Sequence, residues 1–185
     1  MRHILACIGG GLAGAMACPA AAEVTASSES GFVSHNEADV PAPPGEVWAS
    51  MLRPADWWNG DHTYSGKSSN LTLDPVAGGC FCEVVPNAGA GPAGHVEHMR
   101  VVYLAPNATL RLNGGLGPLQ AEAVEGVLTM TLAPSDQGTK ISWDYVVGGY
   151  ARVPLKELAP VVDRVIGEQL ARLALVLKGA HVPLK

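Results

Sequence analysis

The sequence predicts an α+β fold, in which a curved antiparallel sheet of about seven strands is wrapped around a long C-terminal helix. Beyond residue 70, apolar and polar residues alternate in short segments bounded by Gly, Pro, Asn or Asp, which is typical of strands. Short links between these segments indicate an antiparallel meander. Residues 155–178 instead carry apolar side chains at the i, i+3/i+4 spacing of an amphipathic helix. We expect this helix to cover the apolar face of the sheet, because no other segment is long enough.

The predicted elements follow the order β-α-α-β6-α. Residues 32–41 predict the first strand, which ends in a proline-rich run. Pro44 suits the first turn of a helix over residues 44–52, and Pro54 separates that helix from a second short one over residues 55–60. The six strands that follow are predicted at residues 70–75, 80–86, 95–106, 108–115, 125–134 and 139–150.

Residues 1–22 have the pattern of a secretory signal peptide. Arg2 precedes an apolar run that is shorter than the roughly 20 residues of a transmembrane helix, and the alanines at 20–22 have the form of a cleavage site. We therefore expect an exported protein, periplasmic or secreted, with no transmembrane segment in the mature chain. An alternative is a lipoprotein anchored at Cys18, although Ala15 stands where such sites usually carry Leu or Val.

The rest of the chain divides into a leader and one domain. Residues 23–31 are small and polar, which predicts a flexible leader, and residues 32–185 contain no repeat or linker, which predicts a single domain. The whole chain carries 12 Lys and Arg against 17 Asp and Glu, a net charge of −5, without a basic cluster. Because a nucleic-acid partner requires clustered cations, we expect none.

Cys80 and Cys82 raise the question of a redox or metal centre. Alternate residues of a regular strand lie about 6.6 Å apart, whereas a disulfide needs Cβ atoms about 3.8 Å apart, so a bridge would require a bulge. A zinc site would need two further ligands, for which His95, Glu97 and His98 are the candidates on the neighbouring predicted strand. We favour two free thiols on a packed strand and expect neither a metal site nor a cofactor.

Three parts of the sequence resemble the SRPBCC superfamily, whose members are also called START-like or helix-grip proteins. They are VPAPPGEVWASML at 40–52, LDPVAGGCF at 73–81 and the closing helix. The most similar branch is the one named after the activator of a heat-shock chaperone ATPase. The resemblance spans residues 32–178 and implies the helix-grip fold, with a cavity between the sheet and the last helix. It also implies relatives that bind lipids, hormones or polyketides, some of which catalyse cyclisation or dehydration.

Eight residues are candidates for the lining of this cavity. The cluster at 57–64 combines aromatic faces with polar atoms that could orient a ligand at a cavity mouth. Residues on the inward face of the last two strands would line the same interior, although each could equally be core. His98 or His62 could act as a general base, with Tyr64 or Tyr145 as a proton donor. The eight candidates are Trp57, Trp58, His62, Tyr64, His98, Met130, Trp143 and Tyr145.

Three functions are compatible with these observations. We expect an exported protein that binds a small hydrophobic or amphipathic molecule, because a cavity is implied and the sequence contains no recognisable catalytic set. An enzyme of cyclase, dehydratase or hydrolase type using the same cavity is the first alternative. A protein-interaction module, which would need an apolar patch outside the cavity, is the second. The sequence indicates neither the ligand nor the oligomeric state.

Overall fold

A computed structural model of the chain describes residues 21–183. The predicted signal peptide at 1–22, with Cys18, therefore lies outside the described residues except for its last two positions. The described part contains eight strands, two α-helices and four short 3₁₀ turns. The strands are β1 (Ala21–Ser28), β2 (Gly31–Val40), β3 (Leu71–Leu73), β4 (Cys80–Val85), β5 (Gly94–Ala105), β6 (Thr109–Asn113), β7 (Ala123–Ser135) and β8 (Gly138–Tyr150). The helices are α1 (Pro44–Met51) and α2 (Leu155–Leu177), and the 3₁₀ turns are Pro54–Asp56, Gly60–His62, Ser68–Asn70 and Gly117–Ala121.

All eight strands belong to one antiparallel sheet with the order β1-β2-β8-β7-β6-β5-β4-β3. The sheet curves around α2, and the predicted α+β helix-grip architecture is confirmed. α2 packs against β1 and β2 and also contacts α1. Its buried stripe repeats every three or four residues and consists of Leu155, Ala159, Val162, Ile166, Leu170 and Leu173.

The prediction of a flexible leader at residues 23–31 is wrong. These residues form most of β1 and its turn, because backbone hydrogen bonds to β2 order the strand despite its small polar side chains. The turn is held as well: Leu155 and Gly149 donate their amides to the carbonyls of Glu29 and Ser30, both at 3.0 Å. The sheet therefore has eight strands rather than seven.

The second predicted helix, at 55–60, is also absent as an α-helix. Its place is taken by the 3₁₀ turns Pro54–Asp56 and Gly60–His62. Asn59 begins the second turn by accepting a hydrogen bond on Oδ1 from the Asp61 amide at 3.0 Å. This short irregular segment contacts the C-terminal half of α2 through Asn59 and His62.

A bulge in β5 changes which side chains point inward. Phe81 pairs with Met99 and Cys82 pairs with Glu97, so His98 is an extra residue without a partner in β4. In a regular strand, His98 and Met99 would lie on opposite faces of the sheet. The bulge instead leaves both side chains buried, with exposed fractions of 6% and 1%.

Candidate functional site

A cavity of about 420 Å³ lies between α2, β5 and the two irregular segments around residues 58–64 and 116–121. Its walls are mainly apolar, and its polar atoms are concentrated on the segment 62–64 and on β5. The lining residues are Trp58, His62, Thr63, Tyr64, His98, Leu116, Gly117, Pro118, Ala121, Val161, Val162, Val165 and Ile166.

The segment from Trp57 to His62 is fixed to α2 by polar contacts. Gln169 accepts the Asn59 amide on Oε1 at 2.8 Å, and Arg172 donates from Nε to the Trp57 carbonyl at 2.8 Å. Trp58 is thereby held over the cavity, where its ring packs against Phe81 at 5.3 Å between centroids. These contacts position the aromatic wall of the site.

His98, which lines the cavity, forms a buried pair with Glu83, which lies behind it. His98 Nε2 lies 2.9 Å from Glu83 Oε2, and the same carboxylate accepts the backbone amides of Tyr64 at 3.0 Å and Ser65 at 2.5 Å. Burial opposes ionisation of Glu83, but the hydrogen bonds from Ser65, Tyr64 and His98 outweigh it and lower the carboxyl pKa. Burial lowers the pKa of His98, and Glu83 offsets this only in part. Glu83 is therefore ionised and His98 neutral at pH 7.

The Glu83 carboxylate also fixes the tautomer of His98. An ionised carboxylate only accepts hydrogen bonds, so the His98 proton resides on Nε2 and Nδ1 carries the lone pair. Nδ1 has no hydrogen-bond partner in the described part of the chain. The ring thus offers the cavity an acceptor, which could bind a donor group or take a proton.

His62 and Tyr64 form the rim of the cavity. The His62 side chain is 32% exposed, and Tyr64 is 54% exposed. His62 Nε2 lies 3.0 Å from Glu168 Oε2 on α2. The Tyr64 hydroxyl donates to Gln120 Oε1 at 2.8 Å, which connects the two irregular segments on either side of the mouth. The rim is therefore a polar ring held by side-chain hydrogen bonds.

Of the eight predicted site residues, Trp58, His62, Tyr64 and His98 line the cavity. The other four lie in the core instead, which corrects their placement. Met130 pairs with Trp143 across β7 and β8, and the ring of Trp57, from the segment between the first two 3₁₀ turns, lies 5.7 Å from that of Trp143. α1 contacts β7 and β8 in this part of the sheet, and the side chains of Trp57, Met130 and Trp143 are all buried.

Tyr145 is the fourth of these core residues, and its hydroxyl has a structural partner on each side. It accepts the Leu116 amide at 3.0 Å and donates to the Gly114 carbonyl at 2.9 Å. Gly126 leaves room for this hydroxyl, since a Cβ there would lie 2.5 Å from it. Tyr145 thus holds the segment that contributes Leu116 and Gly117 to the cavity rather than lining the cavity itself.

Sequence reasoning missed Glu83 and the cavity residues of the 116–121 segment and of α2. A signal for Glu83 was present, because in the strand CFCEVV it shares the face of Phe81, where an apolar residue is expected. An inward carboxylate needs partners, which indicates a polar site nearby. The segment at 116–121 offered no comparable signal.

The preference for free thiols at Cys80 and Cys82 is also wrong, because the two residues form a disulfide. Their Cα atoms are 5.3 Å apart, closer than in a regular strand, and the β4–β5 register shifts between Phe81 and Cys82. The extra residue at this register shift, His98, lies in β5, and the β4 backbone that carries the two cysteines is shortened directly opposite it. The disulfide lies on the half-buried outer face, and Phe81 between the two cysteines points inward.

The comparisons with known proteins agree with this architecture. The family described as polyketide cyclase / dehydrase and lipid transport matches residues 32–178. The chain belongs to this family. The predicted SRPBCC membership is therefore confirmed, whereas the narrower resemblance to the chaperone-activator branch stays a prediction.

Solved structures with the same fold as this polyketide cyclase / dehydrase family member come from several bacteria. A protein from Rhodobacter sphaeroides is 18% identical with a TM-score of 0.58, covering 86% of this chain and 99% of its own. A protein of unknown function from Staphylococcus aureus is 14% identical with a TM-score of 0.58, covering 80% and 94%. A protein from Mesorhizobium loti is 19% identical with a TM-score of 0.54, covering 81% and 99%. At these identities the likeness shows the fold alone.

Curated proteins yield no match to the sequence. Among residues 21–183, no helix has the length and apolar character required to cross a membrane.

Proposed function

We propose that this protein binds a small amphipathic molecule in the cavity between the sheet and α2. The observation that carries the proposal is a mainly apolar cavity of about 420 Å³ whose lining includes a few polar side chains, among them His62, Tyr64 and His98. Cavities of roughly 300–1,000 Å³ with apolar walls and a few placed polar groups are typical small-molecule sites. His98 would receive the polar end of the ligand, while Val162, Val165 and Ile166 would contact its apolar body.

We also propose that the protein is exported. The signal-peptide pattern at 1–22 supports this, and so does the Cys80–Cys82 disulfide, because disulfides persist mainly in oxidising compartments. Mass spectrometry of the protein purified from its native host would test both points. An intact N-terminus or two free thiols would contradict the proposal.

Filling the cavity tests the binding proposal. Val165→Trp places an indole in the cavity wall, whereas Leu175→Trp adds the same group to an exposed position of α2. We expect Val165→Trp to abolish binding of the neutral apolar dye Nile red, and Leu175→Trp to leave it unchanged. Equal binding by both variants, with melting temperatures close to that of the unmodified protein, would refute the proposal.

The His98–Glu83 pair favours one alternative, an enzyme that abstracts a proton inside the cavity. A neutral histidine oriented by a buried carboxylate has the arrangement of a general base, with Nδ1 as the accepting atom. In such a reaction, a C–H proton next to a ligand carbonyl would pass to Nδ1 and leave an enolate. The three contacts that hold Glu83 ionised would keep the imidazole in this tautomer.

Proton exchange offers a direct test of this alternative. The α-protons of 2-tetralone, an apolar enolisable ketone, exchange with deuterium in D₂O at a rate that NMR measures. We expect the unmodified protein to accelerate this exchange and His98→Asn to lose the acceleration while still binding Nile red. An unchanged exchange rate with bound ketone would leave binding as the function of the cavity.

A further inference from the structure

We infer that the cavity selects an uncharged ligand whose polar end is a hydrogen-bond donor, such as an alcohol or a phenol, and discriminates against carboxylates and phosphates. This inference rests on the proposed binding function and specifies the ligand class. It depends on the donors, acceptors and charges that the cavity presents.

The side-chain donors of the lining residues are already engaged within the protein. Trp58 Nε1 donates to the His62 carbonyl at 3.2 Å, Thr63 Oγ1 to the Gly60 carbonyl at 2.7 Å, and the Tyr64 hydroxyl to Gln120 at 2.8 Å. His98 donates from Nε2 to Glu83, and His62 Nε2 is paired with Glu168. A ligand that only accepts hydrogen bonds would therefore find these side chains occupied.

The His98 Nδ1 atom is left as an acceptor. It belongs to a buried ring of the cavity wall and has no partner among residues 21–183. The tautomer cannot reverse without breaking the hydrogen bond to Glu83, whose carboxylate is held by two further amides. A hydroxyl at the end of an apolar ligand would satisfy this atom, because an O–H group donates where Nδ1 accepts.

The charges around the cavity are unfavourable for an anion. None of the lining residues is a lysine or an arginine, and the carboxylates of Glu83 and Glu168 stand behind the two histidines. Arg172, on the same helix as Glu168, donates to the carbonyls of Trp57 and Pro183. An anionic head group would thus lose its hydration without gaining a cation.

A cationic head group fits less well than a hydroxyl. An ammonium carries three donors, whereas the lining histidines present at most one free ring nitrogen each, at His98 and at His62, so at least one N–H group would lose water without replacement. The Glu83 carboxylate that could attract the charge is occupied by His98, Tyr64 and Ser65. We therefore assign the preferred head group as neutral.

A matched ligand series tests this inference on the unmodified protein. Displacement of Nile red at neutral pH compares 1-decanol with decanoate, decylamine and 1-methoxynonane, an ether of similar length that only accepts. We expect 1-decanol to bind about tenfold more tightly than each of the others, the ratio that one satisfied buried hydrogen bond produces. Decanoate, decylamine or the ether binding as tightly as 1-decanol would overturn the inference.

Two variants locate the selectivity. His98→Phe keeps a ring in the cavity wall but removes Nδ1. The ratio of the 1-methoxynonane dissociation constant to the 1-decanol dissociation constant should therefore fall to about one. His95→Phe changes an exposed histidine on the same strand and should leave the ratio intact. An unchanged ratio in His98→Phe would also overturn the inference. If Nile red itself does not bind, the proposed function fails, whereas bound dye with a preference for decanoate refutes the ligand class alone.

Discussion

Tyr145→Phe separates a structural role for this tyrosine from the ligand contact that the sequence predicted. The substitution keeps the buried ring and its edge contact with Phe32 at 6.4 Å, and it removes only the hydroxyl. Burial raises the pKa of that hydroxyl far above neutrality, so it remains a donor over the accessible pH range. Its loss leaves the Leu116 amide and the Gly114 carbonyl without their partner.

The size of the effect follows from these two groups. A buried polar group without a partner costs about 1–3 kcal/mol, so two of them give a loss of about 3 kcal/mol in the free energy of unfolding. In a domain of this length, each kcal/mol lowers the melting temperature by about 2–4 °C. We therefore expect Tyr145→Phe to melt about 9 °C below the unmodified protein.

Differential scanning calorimetry and Nile red titration together decide the question. Tyr150→Phe is the matched control, because Tyr150 is 75% exposed and its substitution should change the free energy of unfolding by less than about 0.5 kcal/mol. Dye affinity of Tyr145→Phe, measured well below its melting temperature, should stay within about threefold of the unmodified value. A normal melting temperature combined with a large loss of affinity would refute the structural role and restore Tyr145 as a ligand contact.

Three further predictions concern buried polar groups and the disulfide. Burial lowers the pKa of His98 below 6.5, and hydrogen bonds lower the pKa of Glu83 below 4.5. At each of these two groups the unfolded chain therefore binds a proton before the folded protein does, so the free energy of unfolding should fall in two steps, the first below about pH 6.5 and the second below about pH 4.5. In urea titrations across pH, His98→Phe should lack the first step. Reduction of the Cys80–Cys82 disulfide should weaken Nile red binding as the bulge opposite it relaxes. The double variant Cys80→Ser/Cys82→Ser should bind Nile red as weakly as the reduced protein does, and reductant should not change its affinity. Asp163, buried on α2, accepts hydrogen bonds on Oδ1 from Ser34 Oγ at 2.6 Å and Asn36 Nδ2 at 3.3 Å of β2. Asp163→Ala removes this acceptor and should lower the free energy of unfolding in urea by about 2–4 kcal/mol, whereas Asp163→Asn should lower it by less.

The fold could be predicted from the sequence because its signals are long and regular. Alternation in the strand region and the spacing of apolar residues in α2 each extend over many residues, so single exceptions do not hide them. β1 was not predicted as a strand because its side chains are small, polar and mostly exposed. Its order comes from backbone pairing with β2. Residue type carries little information about such a strand.

The candidate site was predicted only in part, since core and cavity share the same inward face. Alternation correctly places Met130, Trp143 and Tyr145 inward, but it does not show how far α1 and α2 fill the space above them. Trp57 and Trp58 are adjacent in the sequence, yet one packs in the core and the other lines the cavity. That division depends on tertiary packing, which a single sequence does not reveal.

The chemistry of the cavity depends on one irregularity of the sheet. If β5 were regular, Met99 could remain in the core only with His98 on the outer face, away from Glu83. The bulge brings His98 inward beside the carboxylate and gives the cavity its unpartnered acceptor. The Cys80–Cys82 disulfide lies directly across from this bulge, where it shortens β4 around Phe81. His98, which offers the acceptor, and the two cysteines opposite the bulge therefore form one connected unit of β4 and β5. If the proposed ligand class is correct, we expect removal of the disulfide to reduce the preference for 1-decanol before it changes the fold.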